Sequence, residues 1–181
     1  MKSLLLLLLT AFTAGITADA QTTSGPKPVF TSVYTDLKKQ CKALRETIST
    51  EGGDPVARCT GYGGYRISMY YSATSATLSV QRVADGEDVV ELGTDYGNYG
   101  SRGEKIEWRI AEGKPFAVIM RLWKYRGEGA DGTVYSGQRV GSTLIVKGLP
   151  GWERINAEID GSLPDANARA RAAADEGWSK R

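Results

Sequence analysis

The residues of this chain that could act on a ligand are carboxylates, cations and aromatics, because the sequence contains no histidine. That absence removes Ser-His-Asp and Cys-His triads, histidine general bases and histidine metal ligands together. Its two cysteines, Cys41 and Cys59, pair most simply with each other in an oxidising compartment, which withdraws the thiol nucleophiles as well. A metal centre would need more ligands than then remain, so neither a metal nor another cofactor is expected.

Two carboxylates could hydrolyse a glycosidic bond if they flanked it at a fitting separation. Glu104 and Glu107, just before and within KIEWR, are the candidates. Solvated cross-strand pairing beside Lys105 and Arg109 accounts for the same face without catalysis. The acidic turn Asp85 to Asp88, DGED, lacks the spaced ligands and bidentate glutamate of a calcium loop. The glycines of CTGYGGY also fail as a nucleotide fingerprint, since Arg66 stands at the sixth place and a strand follows instead of a helix. They are expected to supply positive φ and close backbone approach where the chain leaves Cys59 and enters a sheet.

The more promising group is aromatic and basic: Trp108 and Arg109, then Arg121, Trp123, Lys124, Tyr125 and Arg126. In an extended strand Arg121 and Trp123 share one face, with Met120 and Leu122 on the other. If the Met120 face is buried, an indole flanked by guanidinium groups is left outside, suited to stacking on a sugar ring or anchoring a protein. Arg121, Trp123, Lys124 and Arg126 are therefore the candidate ligand-binding residues. The competing expectation is that a terminal helix covers that face and makes Trp123 part of the core.

Strands must position these side chains. VFTSVYTDL reads as a first strand, while LKKQCKALRETI fits a short helix or a loop equally well. Tyr65, Ile67, Met69 and Tyr71 alternate with polar neighbours, and ATLSVQR repeats the pattern after a turn at Ser72 to Ser75, which predicts a hairpin. KIEWRIA alternates most cleanly: Ile106, Trp108 and Ile110 should be buried, with Lys105, Glu107 and Arg109 exposed. PFAVIMRLWKY follows across Glu112-Gly113-Lys114 as a second hairpin, and STLIVKGL reads as a further strand. SLPDANARARAAADEG carries Ser162 and Asp165 as start signals, an early Pro164 and Gly177 as a stop, and so predicts a helix with a thin alanine-lined face. The expected fold is α+β: mainly antiparallel sheet, as a sandwich or half-barrel, with one disulfide and a C-terminal helix packed on it.

The chain opens MKSLLLLLLTAFTAGITADAQ, a charged start, a short apolar run and an A-x-A site. Residues 1–20 are expected to be a signal peptide and 21–28 a flexible leader, with a single domain over 29–181. The apolar run is too short for a transmembrane segment, so the protein is expected outside the cytoplasm, periplasmic or extracellular, and as a monomer. With 23 Lys plus Arg against 21 Asp plus Glu, composition supplies no bulk attraction to nucleic acid.

In order and spacing, VYTDL, Cys41, CTGYGGY, KIEWRIAEGKPFAVIMRL and PDANARARAAADE resemble a family of small exported proteobacterial proteins that remain uncharacterised. The resemblance spans most of Val33 to Leu122 and the terminal helix, and it implies export without implying an activity. Members of that family often carry a further cysteine pair bracketing the helix, which this chain lacks. The residues together point to an exported, disulfide-containing binding or inhibitor-type module, with an envelope protein or a glycan as partner, and not to an enzyme. A histidine-free carboxylate-pair glycan hydrolase is the alternative.

Overall fold

Alternation of apolar and polar residues is written along most of this chain, and the computed structural model turns it into two five-stranded antiparallel sheets. It describes residues 28–44, 55–71, 76–92, 99–126 and 138–180. The expected signal peptide, nearly all of the leader and the turn at Ser72 to Ser75 lie outside these. In chain order the elements are β1 (Phe30–Asp36), a single helical turn α1 (Leu37–Gln40), β2 (Cys41–Ala43), β3 (Ala57–Thr60), β4 (Tyr65–Tyr71), β5 (Ala76–Arg82) and β6 (Asp88–Leu92). Then come β7 (Tyr99–Ala111), β8 (Lys114–Arg126), β9 (Gln138–Gly148), β10 (Asn156–Asp160) and the helix α2 (Ala166–Ser179). One sheet runs β1-β7-β8-β9-β10 and the other β2-β3-β4-β5-β6. Among the described residues no helix is long and apolar enough to cross a membrane.

The first sheet is covered on both faces. Ile106, Trp108, Val118, Met120, Leu122 and Ile145 meet Ile67, Met69, Leu78 and Val80 of the second sheet in one core. On its other face Ala117, Ile119, Leu144 and Val146 lie under Ala166, Ala170 and Ala174 of α2. Those alanines recur every four residues, so they form one stripe along the helix. Gly177 continues the close packing, since a Cβ there would come within 2.6 Å of Ile155. It is a contact position inside α2 and not the expected stop, and Asp165 is the N-cap residue.

That double cover corrects one expectation. Lys105 is exposed, but Glu107 and Arg109 are buried at 8% and 5% exposure. Strand alternation placed them on the opposite face from Trp108 correctly. What it could not show was that the helix lands on that face and pairs with both charges.

The glycine loop after Cys59 acts on the backbone. Gly63 and Gly64 adopt φ of 59° and 88°, the left-handed region that residues with a Cβ avoid, and a Cβ on Gly63 would meet the Pro115 ring at 2.6 Å. Just before it, Cys41 and Cys59 stand opposite each other on β2 and β3 and are bonded. The bridge holds β2, a three-residue edge strand, to the sheet. Replacing either cysteine by serine is expected to lower stability by about 2–4 kcal/mol, through the freedom regained by the unfolded chain. Chemical denaturation measures the loss, and thiol labelling of the native protein should find no reactive cysteine until it is reduced.

Candidate functional site

The helix does not reach the end of β8. Its first turn stops beside Arg121, whose Nη2 donates to Asn167 Oδ1 at 3.1 Å while Nη1 donates to Ser142 Oγ at 2.6 Å. One step further along the same face, Trp123 is left half-buried. The guanidinium carbons of Arg139 and Arg121 lie 4.0 and 5.5 Å from its ring centroid, within cation–π range. Arg139 arrives there through an irregularity in the β8–β9 ladder: Trp123 faces Ser142 and Lys124 faces Gly141, after which the register shifts and Tyr125 faces Arg139. Tyr125 also accepts a long hydrogen bond from Arg139 Nη2, 3.4 Å.

A bulge in β7 forms the opposite wall. Arg102 pairs with Leu122 and Ile106 with Met120, so β7 carries more residues than its partner between the same rungs and must arch. Gly103 lets it do so against Arg121, whose Cβ and carbonyl oxygen would stand 3.2 Å from any Cβ added there. The arch sends Glu104 and Lys105 to the exposed rim. Between bulge, helix start and β9 lies a groove of about 400 Å³, lined by Tyr34, Lys105, Glu107, Arg121, Trp123 and Arg139 over Ile119 and Leu144, with Gly103, Glu104 and Asn167 completing it.

The acids of the groove are engaged. Glu107 Oε1 accepts from Arg171 Nε at 2.6 Å and from Ser32 Oγ at 2.5 Å, and the hydrogen bond to Glu107 is the largest cause that raises the pKa of Arg171 above its ordinary value. Glu104 pairs with Lys38. The cations are different: among the described residues Arg121 and Arg139 have neutral hydrogen-bond partners, and no carboxylate pairs with them or with Lys105. The groove therefore presents three cations, without acidic partners among the described residues, around an indole and a phenol.

Of the four residues expected to bind a ligand, Arg121 and Trp123 line the groove, whereas Lys124 and Arg126 do not. Lys124 falls on the alternate face, and Arg126 is exposed at the strand end opposite Gln138. The terminal helix covers Ile119 and Leu144, as the competing expectation has it, but Trp123 is half-buried and is not among the core residues. Arg139, Tyr34 and Asn167 were not legible as members of this site. Glu104 and Glu107, the candidate acids of the hydrolase alternative, both line the groove, each in an ion pair. Among the described residues no three acidic or cysteine side chains gather as a metal site. Compared with known proteins, the chain matches no family model, no curated protein and no solved structure.

Proposed function

We propose that this chain is an exported binding or inhibitor-type module that takes an envelope protein or a glycan in the groove at Trp123. One observation carries the reading: a half-buried indole with two guanidinium groups over it, in a concavity whose cations lack carboxylate partners among the described residues. Aromatic and arginine side chains in a partly desolvated hollow are the usual anchors of an interface. A disulfide between Cys41 and Cys59 is compatible with an oxidising, extracytoplasmic compartment, as is the resemblance to small exported proteins. The hydrolase alternative has no comparable support, because Glu107 and Glu104 are taken up by Arg171 and Lys38.

The test uses the double variant Trp123→Ala/Arg139→Ala. Arg121 is left in place because it also holds Ser142 and Asn167, so its loss would mix folding with binding. Immobilised wild-type protein should retain a component of envelope extract that the folded double variant does not. A variant that keeps the wild-type circular dichroism and retains the same component would refute the assignment.

A further inference from the structure

Resting on that reading, we infer that the ligand is an anionic saccharide, with its acidic group held by Arg139 and Lys105 and its ring set against Trp123 and Tyr34. Charge is the first reason. Lys105, Arg121 and Arg139 all line the hollow with no acidic partner among the described residues, and an entering anion would gain charge-assisted hydrogen bonds from them. Arg121 is fixed by Ser142 and Asn167, whereas Arg139, stacked over Trp123, makes among the described residues only the long hydrogen bond to Tyr125 and so keeps donors for a ligand.

Shape is the second reason. A hollow of about 400 Å³ is of small-ligand size, and its mixture of apolar and aromatic walls with a few converging polar groups is what such ligands use. The third reason is the backbone. The strand that carries Trp123, β8, is paired with β7 on one side and β9 on the other, so among the described residues the floor of the groove offers no row of open main-chain groups. A peptide added as a further strand needs such a row. A saccharide does not, since side chains alone can read its hydroxyls and its charge.

Calorimetric titration of the full chain tests this with trigalacturonate, a hyaluronan hexasaccharide and a hexose phosphate, set against methyl-esterified trigalacturonate, maltotriose and poly-glutamate. At least one anionic sugar should bind, its neutral counterparts should not, and binding should weaken as salt is raised. Arg139→Gln should lower the affinity about tenfold or more, the loss expected when a charge-assisted hydrogen bond is removed. Equal binding of the neutral sugars, tighter binding of poly-glutamate, or no binding by any anionic sugar would overturn the inference. The extract experiment separates the two levels. If the double variant loses its partner while every sugar fails, the ligand class falls and the groove assignment stands; if the variant also retains its partner, both fall.

Discussion

Trp108→Ala is expected to lower stability by about 3–5 kcal/mol, the range for removing a large aromatic from a packed interior. Trp108 is fully buried between the sheets, with the Tyr65 ring 6.2 Å away in a stacked arrangement. Its Nε1 donates to Thr35 Oγ1 at 2.9 Å, and that hydroxyl donates to the Thr60 carbonyl at 3.0 Å. The indole thus fills the centre of the core and completes a polar link from β7 through β1 to β3 in the other sheet. Trp108→Phe should cost clearly less, because it keeps most of the packing and loses the hydrogen bond. Urea denaturation of both variants checks this, and an alanine variant within 1 kcal/mol of wild type, below the usual core range, would contradict it.

Arg109→Ala should have an effect of similar size, about 3–5 kcal/mol, for a different reason: it leaves the partner of a buried ion pair uncompensated. The Arg109 side chain is 6% exposed and that of Asp175 22%. Arg109 Nε and Nη2 grip the Asp175 carboxylate at 2.6 to 3.0 Å, and Nη1 donates to Ser32 Oγ and the Thr31 carbonyl. All three nitrogens of the guanidinium are engaged. Ser32 also donates to Glu107, which accepts from Arg171, so one polar chain ties β1 and β7 to two turns of α2. With the alanine stripe packed on the sheet and the Trp178 contacts to Phe30 and Phe116, this chain of charges clasps the helix to the sheet. Replacing both partners, Arg109→Met with Asp175→Leu, should recover most of the loss, since apolar side chains can substitute for a buried pair. A single variant as stable as wild type, or a double variant less stable than the single, would show that the Arg109–Asp175 pair does not hold the helix.

Alternation within a strand was legible because it depends only on local geometry. Ile106 and Trp108 against Lys105, Ile67 and Met69 in the β4–β5 hairpin, and Met120 and Leu122 opposite Trp123 all follow from the two-residue period. What lies above a face is a tertiary fact, and so Glu107 and Arg109, polar by type, could not be read as buried. The short strands β2, β3, β6 and β10 were also not foreseen. DVVEL and NAEID are five residues each, and ARCT is four, too short for a period to stand out.

The site was half legible for the same reason. Arg121 and Trp123 are neighbours on one strand, so their shared face could be read directly. Arg139 belongs to the next strand, and its meeting with Trp123 depends on a register shift between Lys124 and Tyr125 that no local pattern marks. Asn167 and Tyr34 arrive from elements distant in the chain, placed by the docking of α2 and the pairing of β1 with β7.

If a partner binds at the surface around Trp123, the indole N–H signals report on it most directly. The chain has four tryptophans, so a proton–nitrogen correlation spectrum shows few such signals, and Trp123→Phe identifies one by its disappearance. On titration with the component eluted from the immobilised wild-type protein, the Trp123 signal should shift or broaden while that of Trp108, sealed between the sheets, stays in place. Saturation by the partner with the Trp123 signal unmoved would contradict binding at that surface.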